Sequence, residues 1–349
     1  MNALATVLVI VLSNQGHWFG GRPGSIEVRW AVQGPLPEAV LSWEADFAGS
    51  RLADDGVALR TDREPTKIDL TLPEVRVRTT VQWKYQVRRR DDGKLLTEGR
   101  ETISVYPTQL LAGVAERLKG KTILVCDRPE GLPRLLSEAE IPHQRIDDGS
   151  NVVAALQAAS ADILLIGPDQ VGDTPFGQTA ILNQAQAGRS VLLFAQTRVR
   201  RLAEYPLLRR PRPAKLEWRT EHALLTGLEA EDMQSWLSAG PRDVWAVQLP
   251  ADEPALEVAY WPRETPGTEP VPIDALLVVK SVGAGRMVLC QLPLGPWGED
   301  PRSHLLVRNA LDYLVTRPEP TPPPSQRMPA SKPAEPQMPS IPLSPGGKP

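Results

Sequence analysis

The sequence predicts a β-sandwich, then an α/β segment with a parallel sheet, then a Pro-rich tail. Three observations carry this. Up to about residue 107, apolar and polar residues alternate with period two and helical periodicity is nearly absent. From there to residue 317, short continuous apolar runs take turns with stretches of helical spacing. Beyond residue 317 the chain is rich in Pro, with Ser, Lys, Gln and Met and no apolar period. The expected parts are residues 1–107, 108–317 and 318–349. The chain's 349 residues suffice for this organisation.

The first element is "ALATVLVIVL", residues 3–12. Ten near-apolar residues are too few to span a bilayer. No Lys or Arg precedes the run and no small-x-small cleavage site follows it, which speaks against a regular signal peptide. Its β-branched residues and the following "SNQG" fit a first strand and a polar turn. "SIEVRWAV" places Ile26, Val28, Trp30 and Val32 on one face. "LSWEADF" does the same with Leu41, Trp43, Ala45 and Phe47. In "VRVRTTVQWKYQVRRR", Val75, Val77, Thr79, Val81, Trp83, Tyr85 and Val87 share a face, and Arg76, Arg78, Gln82, Lys84 and Gln86 share the other. Such alternation makes strands with one buried and one wet face. Asp91-Asp92-Gly93 supplies a hairpin turn and "LLTEGRETISVY" returns. Strands and turns in this rhythm point to a sandwich of immunoglobulin type.

After "QLLAGVAERLKG", a short helix or linker, "KTILVCD" reads as a parallel strand covered on both faces. "PEGLPRLLSEAEI" has helical spacing at Leu132, Leu135, Leu136 and Ala139. "HQRIDD" is a short strand, "NVVAALQAASA" a helix with an Asn cap, and "DILLIGPD" another buried strand. "TPFGQTAILNQAQAG" is a helix with a Thr-Pro start and a Gly stop, and residues 190–195 are the next strand. The order of elements predicts a doubly wound parallel sheet. Residues 198–272 are less regular and hold Trp218, Trp236, Trp245 and Trp261. "DALLVVKSVGAGRMVLCQLPL" reads as a β-hairpin. "SHLLVRNALDYLVTR" is a closing helix with Ser303 as its expected cap. The tail cannot bury a core and is expected to be disordered.

Composition narrows the function. A net charge of −3 gives no electrostatic case for nucleic acid or an anionic membrane. Arg88-Arg89-Arg90, next to Asp91-Asp92, is a solvated strand end. Cys126 and Cys290 lie inside apolar runs, as buried free thiols do. His17, His143, His222 and His304 fall in no metal-binding spacing, so neither a metal nor a cofactor is expected.

Three stretches carry a family resemblance: "HALLTGLEAEDMQSW" (222–236), "VGAGRMVLCQLPL" (282–294) and "LLVRNALDYLV" (305–315). Residues 121–317 resemble the class I glutamine amidotransferase-like fold. They are most similar to the non-catalytic domains of that kind attached to bacterial beta-galactosidase-type glycoside hydrolases. The first part resembles the β-sandwich accessory domains of those hydrolases. The resemblance implies a three-layer, flavodoxin-like α/β domain. A working amidotransferase carries a Gly-flanked Cys at a strand-to-helix elbow, with a His and a Glu near the domain's end. Here the matching place reads Phe194-Ala195-Gln196-Thr197, and His304 has no Glu two residues on. The triad is therefore absent.

Candidate positions remain. Asp127, Asp169 and Gln196 end neighbouring strands at the carboxyl edge of the expected sheet, where ligands of open α/β sheets bind. Capping their own loops is the competing role. His222 orients a ligand or satisfies its loop, and Asp232 and Trp236 pin that same loop. Gly283 and Gly285 precede a strand, so they make a turn rather than a phosphate cradle. Trp18, among glycines, is the candidate exposed aromatic for stacking on a sugar. The expected function is non-catalytic binding or assembly linked to carbohydrate-active enzymes, with a carbohydrate, a protein partner or an oligomer formed through the α/β domain. Two alternatives stay open: a hydrolase-type enzyme at the sheet edge, using Asp127, Asp169 or His222, and a detached accessory fragment of a larger glycoside hydrolase. Neither nucleic acid nor a membrane span is expected. The compartment stays open between cytoplasmic and exported.

Overall fold

In the computed structural model the alternating stretches form two facing sheets. The structure describes the chain except residues 1–5, 33–37, 60–64, 147–159, 172–174, 240, 252, 254, 263–270, 295–296 and 317–349. The chain divides into one compact unit, Met1–Thr316, and a second, Arg317–Pro349, which lies wholly outside the described residues, as does the disorder expected there.

The first eight strands are β1 (Thr6–Leu12), β2 (His17–Phe19), β3 (Pro23–Val32), β4 (Ala39–Phe47), β5 (Ser50–Ala58), β6 (Thr66–Thr71), β7 (Thr79–Arg89) and β8 (Leu95–Tyr106). One sheet has the order β1-β3-β6, the other β2-β8-β7-β4-β5. After β1 a 3-10 turn, Ser13–Gly16, carries the chain across, so that β2 runs parallel to the end of β8 in the opposite sheet. The inward row is the one the alternation predicts: Ile26 and Val28 face Leu41, Ala45, Val81, Trp83 and Val87 in one core. Two predicted inward residues are exposed instead. Phe47 sits at the tip of the β4–β5 hairpin, past the reach of the opposite sheet. Val77 lies in the stretch where the chain crosses from β6 to β7 between sheets, and a crossing segment keeps no alternation. The side chains of Trp30 and Val32 lie outside the described residues.

The rest of the unit is built on one mixed sheet. Its strands are β9 (Ile123–Cys126), β10 (Gln144–Arg145), β11 (Ile163–Ile166), β12 (Ser190–Leu193), β13 (Arg201–Leu202), β14 (Tyr205–Pro211), β15 (Glu217–Trp218), β16 (Asp243–Leu249), β17 (Leu256–Tyr260), β18 (Ile273–Val282) and β19 (Gly285–Cys290). The order β10-β9-β11-β12-β19 is parallel throughout. β18 then turns back antiparallel on β19 and takes β16 and β17 along its other side. The irregular-looking stretch after residue 198 thus supplies antiparallel strands that widen the sheet. Five of its elements are strands of two to seven residues, too short and too Pro-rich to show a period.

The described helices are α1 (Val114–Arg117), α2 (Leu132–Glu138), α3 (Pro175–Gln186), α4 (Ala230–Ala239) and α5 (Pro301–Val315). Leu132, Leu136, Met233, Leu306 and Leu311 of α2, α4 and α5 pack with Val125, Leu165 and Leu192 on one face. Ile181 and Ala185 of α3 pack with Leu164, Val191 and Leu289 on the other. The helix expected over residues 151–161 falls almost entirely outside the described residues. Cys126 and Cys290 are buried and form no disulfide, and burial pushes the Cys290 thiol up to about 12. The expected cap of α5 is corrected: Asp300, not Ser303, accepts from the Arg302 N–H at 2.9 Å. Pro301 fills the first helical position, where its missing N–H costs nothing. No described helix is long and apolar enough to cross a membrane.

Candidate functional site

The carboxyl ends of β9, β11 and β12 bring Asp127, Asp169 and Gln196 to one edge, as their strand-end positions predict. Each is committed to its own loops. The buried Asp127 carboxylate accepts from the Arg128 N–H and the Leu132 N–H, both at 2.8 Å. It thereby holds the loop and the start of α2, where a negative charge is favourable. A Cβ on Gly131 or Gly167 would come within 2.2 or 2.1 Å of this carboxyl group, so two bare backbones close around it. Asp169 has φ of 56° in the turn after β11. Its N–H donates to the Ala195 carbonyl at 3.0 Å, and its carboxylate accepts from the Thr197 N–H at 2.5 Å and hydroxyl at 3.0 Å.

Gln196 is 0% exposed. Its side-chain carbonyl accepts from the Val171 N–H at 3.0 Å. Its amide donates to the carbonyls of Gly167 at 2.8 Å and Phe194 at 2.7 Å. Its backbone N–H donates to Gln291 Oε1 at 3.1 Å. Both amide hydrogens are taken, so Gln196 offers a ligand no donor. His222 lies elsewhere, beside Tyr313 near the amino end of β19. Its Nδ1 accepts from the Leu224 N–H at 3.2 Å and caps the 3-10 turn Ala223–Leu225. Burial lowers its pKa, in keeping with a neutral ring protonated on Nε2.

Trp18 is corrected. It is 3% exposed, donates from its indole to the Ser13 carbonyl at 2.8 Å, and lies so flat on Gly24 that a Cβ there would reach within 2.3 Å of the ring. It therefore packs as core and offers no stacking face.

A further polar cluster is one the sequence does not announce. Gln15, His17, Arg78 and Tyr106 of the sandwich meet Asp232 and Ser235 of α4 and Asp300 and Arg302 at the start of α5. Arg78 grips both Asp232 oxygens at 2.8 Å. Arg302, 0% exposed, pairs with Asp300 at 2.6 Å. It also donates to the Asp232 carbonyl at 2.9 Å, the Ser235 hydroxyl at 2.5 Å and Gln15 Oε1 at 3.1 Å. The Trp236 indole donates to Asp300 at 2.9 Å. Two arginines face two aspartates here, and the more exposed Glu229 carboxylate also pairs with Arg78 at 3.2 Å. Burial, with Arg302 nearby, pushes His17 down to about 3, so its ring is uncharged. Burial also raises the Asp232 carboxyl, against the pull of the Glu229 N–H and of Arg78.

Within this cluster Ser235 Oγ lies 3.4 Å from His17 Nε2, and His17 Nδ1 lies 3.5 Å from Asp232 Oδ1. The order hydroxyl, imidazole, carboxylate is that of an acyl-transfer triad. The bonding works against that role. The Ser235 hydroxyl donates to the Asp232 carbonyl at 2.7 Å and accepts from Arg302, while the Asp232 carboxylate is held by Arg78. The hydroxyl proton therefore points away from the imidazole. Among the described residues no group of three or more His, Cys, Asp and Glu could hold a metal ion. One sequence signal was available: Asp300-Pro301 before an apolar helix is a cap followed by an N1 proline. Nothing local links residues 17, 78, 232 and 302.

A depression lies elsewhere, on the five-stranded sheet. It is an open groove of about 870 Å³ lined by Trp43, Glu44, Tyr85, Gln86, Glu98 and Arg100, among others. No known family profile matches the chain, and no curated protein does. Among solved structures, the CARDB domain of a Pyrococcus furiosus protein is 12% identical, covering 30% of this chain and 94% of that one at a TM-score of 0.23. A beta-glucosidase from Listeria innocua is 13% identical over 30% of this chain and 16% of that one, at 0.21. An FMN-binding beta-glucuronidase from Faecalibacterium prausnitzii is 10% identical over 55% and 34%, also at 0.21. Likenesses this distant assign neither fold nor function.

Proposed function

We propose that this chain is a non-catalytic binding and assembly protein that serves carbohydrate-active enzymes. In this reading its first part is an immunoglobulin-like sandwich. Its second is a flavodoxin-like, amidotransferase-like α/β domain that has kept its sheet and lost its nucleophile. The observation that carries the reading is Gln196. At the strand end where the resemblance places the catalytic elbow, a fully buried amide ties the segment after β12 to the loop after β11 and stands where a nucleophile would be. The binding face is the groove on the five-stranded sheet. Carboxylate, amide and guanidinium groups converge there beside Trp43 and Tyr85, a set suited to the hydroxyls and apolar face of a sugar.

The test pairs two assays on the full chain. Ammonia release from glutamine stays at the buffer level. A panel of neutral oligosaccharides includes at least one that raises the melting midpoint, and Glu98→Ala together with Arg100→Ala removes that rise. Glutamine or ester hydrolysis lost in Asp169→Ala would overturn the non-catalytic reading. A flat response to every sugar would remove its carbohydrate part.

A further inference from the structure

The sheet edges of this molecule are not alike. Strand edges expose unpaired N–H and C=O groups, and natural proteins guard them with charge, proline or shortness. β5 carries Arg51, Asp54 and Asp55, and β6 carries Lys67 and Asp69. β10, β13 and β15 have two residues each, and β14, past its short partner β13, carries Arg209, Arg210 and Pro211. β1 has none of these guards. Its seven residues, "TVLVIVL", contain no charge and no proline, and β3 is its one strand partner among the described residues. Val9 and Val11 on its outer side are 44% and 42% exposed.

We infer that β1 is the interface of a symmetric dimer, pairing antiparallel with β1 of a second copy. The chemistry of the edge selects this occupant. Ile10 and Leu12 pack toward the sandwich core, so a strand added beside β1 extends that core with its own inward row, where a charged side chain would be buried unpaired. The fitting strand is therefore apolar at each inward position along the seven residues of β1. The aliphatic runs of β9 and β11 are only four residues long and already have strands on both sides. The tail after Arg317 is broken by prolines, which cannot donate to a ladder. β1 fits itself. Centred on Val9, the pairing sets Val9 against Val9, Leu8 against Ile10 and Val7 against Val11. The whole strand is used, Val9 and Val11 stay on the outer face, and no like charges meet. The contact is isologous and closed, giving one continuous sheet across two copies. It does not depend on the carbohydrate reading and uses a different surface from the α/β domain.

Sedimentation equilibrium on the full chain over a concentration series tests this. The wild type is expected to dissociate from dimer to monomer on dilution. Val9→Lys should be monomeric throughout, and Val77→Lys, which changes an exposed valine off the edge, should still dimerise. Val9→Cys fixes the register, because symmetric pairing brings the two introduced thiols within disulfide reach while Cys126 and Cys290 stay buried. Oxidation should therefore give a cross-linked dimer. A wild type monomeric at every concentration, or no cross-link in Val9→Cys, would overturn the inference. A dimer surviving in folded Val9→Lys would place the interface elsewhere and overturn it as well. Should Val9→Lys fail to fold, the cross-link in Val9→Cys decides.

Discussion

The carboxyl edge of the parallel strands and the junction between sandwich and α/β segment both bury polar side chains, by opposite means. At the edge, Asp127, Asp169 and Gln196 bond mostly to backbone groups of neighbouring loops. At the junction, Arg78 with Asp232 and Arg302 with Ser235 bond side chain to side chain across segments far apart in sequence, and Asp300 pairs with Arg302 beside it. A group that caps its own loop is replaceable at modest cost. A buried charge whose partner is removed is not, because the remaining charge loses its compensation in a medium that solvates it poorly.

That contrast can be broken at the junction first. Arg302→Ala leaves Asp300 buried without its cation and strips bonds from Gln15 and Ser235. The expected loss is near the upper end of the ~3–5 kcal/mol seen when one partner of a buried pair is removed, read by urea denaturation. A loss below about 1 kcal/mol would mean the pair is well hydrated.

Acid should act on the same region. Burial holds His17 at about 3 and His304 at about 4, against 6.5 for a free imidazole. Arg302 and Arg78 press on the first and Arg22 on the second, while Asp300 pulls both the other way. Between pH 6.5 and these values the unfolded chain binds protons that the folded one refuses. Stability is therefore undiminished above about pH 6.5 and falls as the pH drops toward 4 and then 3. Each histidine contributes on the order of 3–5 kcal/mol over that window. His17→Gln should flatten part of the slope, and an unchanged slope would show that His17 does not set it.

At the sheet edge Gln196→Ala should cost about 2 kcal/mol, since it leaves the Val171 N–H and the Gly167 carbonyl unsatisfied inside the protein. The same variant should leave the sugar response untouched. A changed sugar response with unchanged stability would turn Gln196 from a loop clasp into a ligand contact.

The sequence made the edge legible and hid the junction, for one physical reason. Strand-end positions follow from local patterns: continuous apolar runs such as residues 163–166 stop at a turn, and the next polar residue must sit at the carboxyl edge. The sandwich row at Leu41, Ala45, Val81, Trp83 and Val87 was readable for the same reason, through period-two alternation. The junction depends on how two sheets are set against α4 and α5. Trp18 shows the limit from the other side: glycine neighbours suggest openness, yet Gly24 is bare so that the indole can lie on it. Ser303 is a good capping type one turn too late, since Asp300 already holds the cap.

The central claim is that the buried junction welds the sandwich and the α/β segment into one cooperative unit. A double-mutant cycle on Arg78→Ala and Asp232→Ala, followed by denaturant unfolding, tests it most directly. The account predicts a single transition and a coupling of about 2–3 kcal/mol between the two residues. Additive losses, with the sandwich and the α/β segment unfolding in separate steps, would contradict it.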